Sequence, residues 1–161
     1  MLKSRKWFSV AAIGALLTIA GCSTDNANFT PEPIYNAGSL SATVNGVEHH
    51  SSYVKTLLNN GTIDVVGTAD NGRVLVLHLT SDAVVGTLTP GGKSNAYASY
   101  TYSANAIYIT DPAGNSGSIT ISSRTSKRIA GTFNVQLYAL NTTDRLNPTP
   151  IVGSFDVVYV N

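Results

Sequence analysis

Residues 117–140 read GSITISSRTSKRIAGTFNVQLYAL. From position 129 onward Ile129, Phe133, Val135 and Leu137 fall at even spacings, with Asn134, Gln136 and Tyr138 between them. Successive side chains of a strand point to opposite faces, so the apolar set forms one face of one long strand. Residues 117–122 form a second β-rich run, and the polar segment 123–128 between the runs is a hairpin connection, so the two should pair antiparallel. A further row follows in residues 151–160, IVGSFDVVYV, where Ile151, Phe155, Val157 and Tyr159 share a face. Both rows are expected to point into the core, because a one-residue slip would carry either whole set to solvent.

The same texture extends back to position 39. The chain is rich in Val, Ile, Thr and Tyr, and turn signals recur about every 8 to 12 residues, the spacing of antiparallel sandwiches and barrels. Asn45-Gly46 lies between runs at 39–44 and 47–53, and Asn-Gly is a strong hairpin signal because both residues accept positive φ. Asn59-Asn60-Gly61 and Asp70-Asn71-Gly72 punctuate the next runs, 62–68 and 73–79, so four strands are expected in a meander. In the last of these Leu75, Leu77 and Leu79 alternate with Val74, Val76 and His78, which predicts a central strand covered on both faces. A short strand at 86–89 stops at Pro90-Gly91-Gly92, aromatic-rich strands are expected at 97–102 and 106–109, and residues 111–115 are a turn by composition. The fold class is therefore all-β: an antiparallel β-sandwich or partly closed β-barrel of about 8 to 10 strands.

The beginning of the chain is different. Lys3, Arg5 and Lys6 precede an apolar run from 8 to 21 that only Ser9 and Thr18 interrupt, the layout of a secretion signal. The run falls short of the about 20 apolar residues that span a bilayer. Its end, Ile19-Ala20-Gly21-Cys22, resembles the lipobox of bacterial lipoproteins. That resemblance implies acylation of the Cys22 thiol, cleavage before it and hence a signal peptide at residues 1–21. The partner so implied is a membrane, reached through the N-terminal lipid. Ser23 stands where an aspartate often retains such proteins in the inner membrane, so the outer membrane is the expected location. Residues 22–38 read as the lipidated cysteine and a flexible tether, polar and carrying Pro31 and Pro33, although Phe29, Ile34 and Tyr35 could dock on the domain at 39–161.

Three of the ten Lys and Arg residues lie in the signal, so the remainder carries seven bases against nine acids. A net charge of −2 gives no footprint for nucleic acid. Cys22 is the only cysteine, which excludes a disulfide framework and a cysteine-based zinc site.

A resemblance covers roughly residues 39–160. Ser41-Ala42-Thr43-Val44-Asn45-Gly46-Val47, Gly117-Ser118-Ile119-Thr120-Ile121, Ile129-Ala130-Gly131-Thr132-Phe133 and Gly153-Ser154-Phe155-Asp156-Val157-Val158-Tyr159 resemble a group of small β-rich bacterial lipoproteins of uncharacterised function. The resemblance implies a shared fold and a membrane-anchored life, and no chemistry. The chain departs from the group's pattern at Gly86-Thr87-Leu88 and at His49-His50.

No constellation names a reaction. His49 and His50 are neighbours on a strand, so they point to opposite faces, and with His78, Glu48 or Asp64 they would need to converge before they could hold zinc. No metal and no cofactor is expected. No nucleophile elbow is present, and acids such as Asp70, Asp82, Asp111 and Asp144 lie in turns, where they cap backbone amides. Arg124, Lys127 and Arg128 are the densest positive charge, read either as a solvated hairpin turn or as a contact for anionic headgroups and phosphorylated glycans. Tyr100 and Tyr102 share a face and Tyr97 lies on the other; with Tyr108 they serve either strand packing or a stacking platform for sugars. Residues 141–150, NTTDRLNPTP, form the longest irregular segment, with Asp144 and Arg145 as candidate contacts unless the segment merely crosses between sheets. The expected function is a non-enzymatic binding or structural role in the bacterial envelope, with an envelope protein or glycan as partner. The alternatives are a glycan- or small-ligand-binding β domain and a hydrolase with an unrecognised site.

Overall fold

The computed structural model describes residues 34–91, 95–140 and 147–160. Twelve strands form one antiparallel sheet that is not closed into a barrel: β1 (Ile34–Tyr35), β2 (Gly38–Val44), β3 (Val47–His50), β4 (Tyr53–Asn59), β5 (Thr62–Thr68), β6 (Val74–Thr80), β7 (Gly86–Leu88), β8 (Tyr97–Ser103), β9 (Ala106–Thr110), β10 (Gly117–Arg124), β11 (Arg128–Ala139) and β12 (Thr149–Val158). The order is β1-β4-β5-β6-β8-β9-β11-β12-β2-β3, with β10 and then β7 branching from β11.

Antiparallel all-β architecture holds, and the expected count of 8 to 10 strands is corrected to twelve. One of the two additions, β1, is two residues long, too short to leave an alternation, whereas the short strand expected at 86–89 is present as β7. The other addition is β4. The run at 47–53 was expected to continue as one strand, but β3 ends at His50 and β4 begins at Tyr53. The expected meander of four strands is corrected with it. Asn45 (φ 48°) and Gly46 (φ 80°) make the β2–β3 hairpin, and the chain then crosses to the far end of the sheet, where β4, β5 and β6 form the meander. The sheet also takes in residues read as tether: Ile34 and Tyr35 pair with β4, and Ala37 is buried.

The long strand β11 organises the rest. One edge pairs with β12 from Arg128↔Val158 to Leu137↔Thr149. The other edge pairs with β10 as far as Val135 and with β9 from Leu137 to Ala139. The exchange falls at Gln136, whose N–H donates to the Ser116 carbonyl at 2.7 Å.

The sheet curls so that its two ends meet across the core. Ala37 N–H donates to the Val54 carbonyl at 2.9 Å, Val158 N–H to the Ala37 carbonyl at 2.7 Å, and the Thr56 hydroxyl to the Val158 carbonyl at 2.8 Å. Inside lie the expected rows Ile129, Phe133, Val135 and Leu137 and Ile151, Phe155, Val157 and Tyr159, all buried, together with Leu75, Leu77 and Leu79. The strand β6 is central, but Val74, Val76 and His78 on its outer face are only half-buried. Two cross-strand pairs fit ring to glycine: Phe133 is opposite Gly153 and Phe155 opposite Gly131. A Cβ at Gly153 would collide with the Phe133 ring and the Ser41 carbonyl.

Strand directions define two ends. One end gathers the β4–β5 turn, residues 81–85, the β10–β11 turn and the close of β12, and β1 runs away from it. The opposite end gathers the β2–β3, β5–β6 and β8–β9 turns and the start of β12.

Candidate functional site

At this second end a cleft of about 260 Å³ opens between elements far apart in sequence. The β2–β3 hairpin supplies Val44, Asn45 and Val47; Arg73 comes from the head of β6, Tyr100 and Tyr102 from β8, Tyr108 from β9 and Thr149 from the first residue of β12. Pairing explains the aromatic cluster. Tyr100 and Tyr108 are direct cross-strand partners, and the ladder is irregular between Thr101 and Ser103, where Tyr102 sits. Irregularities of this kind redirect side chains and are common beside binding sites. Tyr100 is buried and Tyr102 exposed, so one ring closes the floor and the other stands at the rim.

Arg73 lies with its guanidinium 4.0 Å over the centre of the Tyr102 ring, a cation–π arrangement. Among the described residues no carboxylate or imidazole lines the cleft. Behind Tyr100 the His49 ring meets it edge-on, with centroids 5.5 Å apart. His49 is buried; its Nε2 is 3.3 Å from the Ser51 hydroxyl, and its Nδ1 has no partner among the described residues. Burial first, then the Arg73 and His50 charges, hold this imidazole below its ordinary pKa, so it stays neutral.

Tyr100 and Tyr102, the expected stacking pair, are thus brought together, and Tyr108 joins them. Tyr97 faces outward and stacks on His78 at 4.4 Å. The residues that sequence reasoning missed are Arg73, Asn45 and Val47; the available signal was that Arg73 and Asn45 sit at turn positions one strand length from the same end of the sheet as Tyr102. Thr149 belongs to the segment 141–150 singled out for recognition, but the candidate contacts Asp144 and Arg145 lie outside the described residues, as does Cys22.

The basic cluster divides. Arg124 donates to the backbone carbonyls of Ser81 and Ala83 and so fastens the loop before β7. Arg128 forms a two-pronged pair with Asp156 at 2.7 and 2.5 Å, and its hydrogen bonds hold the Asp156 carboxyl below the usual range. Lys127 is exposed. All three sit at the end that gathers the β10–β11 turn and the close of β12, away from the cleft. The histidines also separate: His50 pairs with Glu48 at 2.8 Å, His78 pairs with Asp64 on the outer face, and His49 lies inside. Among the described residues no three His, Cys, Asp or Glu side chains group to hold a metal.

A family model described as a domain of unknown function, DUF6252, matches residues 36–157. The chain belongs to the DUF6252 family. The DUF6252 match begins at the turn before β2 and ends in β12, so every lining residue of the cleft falls inside it. No curated protein and no solved structure matches the chain.

Proposed function

We propose that this DUF6252 protein is a lipid-anchored binding protein of the bacterial envelope, held in the outer membrane through Cys22, that takes a small ring-bearing ligand or a glycan residue in the cleft. The observation that carries the reading is the cleft itself. Three tyrosines from two strands and an arginine from the turn before β6 converge on a concave site, the mixture of aromatic walls and few polar groups found where small ligands bind. The strand β1 runs from the opposite end of the sheet toward the end that holds the cleft, and a tether that joined it from that end would leave the cleft facing away from the bilayer. A binding role without catalysis is favoured because, among the described residues, the lining offers no carboxylate or imidazole to move a proton.

Thermal-shift screening of the full chain in detergent micelles against a panel of mono- and oligosaccharides and small ring compounds tests this. A ligand at about 100 times its Kd adds about 2.7 kcal/mol to stability. Compounds that raise Tm should lose their effect in Tyr102→Ala and Tyr108→Ala. Compounds that act equally on both variants would place binding elsewhere and sink the cleft reading.

A further inference from the structure

We infer that the cleft selects a ligand whose ring bears a carboxylate, with Arg73 as the residue that recognises the negative charge. The inference rests on the binding reading above and adds the sign of the ligand's charge. Arg73 is partly buried beside the aromatic walls, and the part of a cation withdrawn from water favours a counter-charge. Among the described residues Arg73 has none. Its guanidinium makes no ion pair and no hydrogen bond among the described residues, and it stacks on the Tyr102 ring. The nearest acids by sequence and pairing do not reach it: Glu48 is taken by His50, and Asp70, at the tip of the preceding turn, is exposed and forms no ion pair with it. Stacking leaves the N–H groups in the ring plane of the guanidinium unused, and that planar fork is the shape that meets a carboxylate with two parallel hydrogen bonds.

The surrounding groups fit the rest of such a ligand. Tyr100 and Tyr108 supply apolar faces, the hydroxyl of Thr149 and the amide of Asn45 supply neutral polar contacts, and among the described residues no acid in the lining opposes an anion. The volume of about 260 Å³ lies just under the range of about 300–1,000 Å³ for sites that hold drug-sized molecules, so one ring is the right scale. His49 behind the floor is buried and its pKa is lowered by that burial, leaving Arg73 as the cation of the site among the described residues. A uronic sugar and an aromatic acid share this chemistry.

The test is an NMR titration of the full chain in detergent micelles with D-glucuronate, benzoate and D-glucose, following the Arg73 Nε–H and the ring signals of Tyr100, Tyr102 and Tyr108. At least one carboxylate probe should shift both sets saturably and bind about tenfold or more tighter than glucose, equivalent to about 1.4 kcal/mol. Glucuronate alone doing so identifies a sugar acid, benzoate alone an aromatic acid. Arg73→Gln should erase the preference, Arg73→Lys should keep part of it, and added salt should weaken the carboxylates but not glucose. If glucose binds as tightly as the acids, or if Arg73→Gln keeps the preference, the charge assignment is overturned while the binding cleft stands. If no probe moves the ring signals, the inference and the binding reading fall together.

Discussion

Truncating Phe133 to alanine probes the packing on which the curled sheet depends. The ring is 2% exposed and lies across the ladder from Gly153. Large-to-small changes of a buried phenylalanine cost about 3–5 kcal/mol, the sum of lost transfer free energy and the cavity left behind. Here the upper part of that range applies, because the residue facing the vacated space is a glycine with no side chain to swing into it. Tyr138, five residues along the same strand and half-buried on the other face, should lose only about 1 kcal/mol on truncation, the ordinary size of a point-mutation effect. The assay is urea unfolding of the full chain in detergent micelles, followed by far-UV circular dichroism, comparing midpoints at constant m. Domains of this size carry about 5–15 kcal/mol in all, so Phe133→Leu serves as a gentler companion should the alanine variant fail to fold. Equal losses at Phe133 and Tyr138 would refute the facing of β11 and with it the position of the core.

Gly153→Ala should destabilise by about 1–3 kcal/mol through overpacking against the Phe133 ring and the Ser41 backbone; a neutral or stabilised variant in the same unfolding assay would contradict the close approach. His49 is neutral when folded and takes a proton near its ordinary 6.5 when unfolded, so the unfolded state binds more protons as pH falls. Its contribution to stability is complete above about pH 6.5 and is lost as pH drops through that value toward the lower folded pKa. His49→Gln should therefore flatten the fall in unfolding free energy between about pH 7 and 5, and an unchanged slope would show that His49 is not held neutral. Cys22→Ser should abolish incorporation of labelled palmitate and leave the protein either as uncleaved precursor or as a soluble form. Recovery of a mature protein that still partitions into detergent would defeat the lipoprotein proposal.

Much of the architecture is a local property of the chain. Period-two alternation follows from the geometry of one strand, so Ile129, Phe133, Val135 and Leu137 declare a common face before any partner is known, and the structure buries all four. The β2–β3 hairpin is local as well, since Asn45 and Gly46 accept the positive φ that a tight connection needs. Neither signal says which distant strand will lie alongside.

That choice belongs to the tertiary structure. Alternation is the same whichever neighbour completes the hydrogen-bond ladder, so residues 47–59 gave no notice that the chain would leave β3 at one end of the sheet and resume as β4 near the other. The partner exchange of β11 at Gln136 was equally silent, because it depends on where β10 stops and β9 begins. The cleft is the extreme case. Tyr100, Tyr102 and Tyr108 announced an aromatic cluster in sequence and Arg73 joins it through the β6–β8 ladder, but Asn45 and Thr149 belong to strands farther along the sheet, and a solitary arginine after a turn looks like a solvated charge until a tyrosine ring lies 4.0 Å beneath it. The composition and period of the chain determined that it would be a sheet with these faces inward. Non-local pairing and curvature decided which side chains meet at its open end.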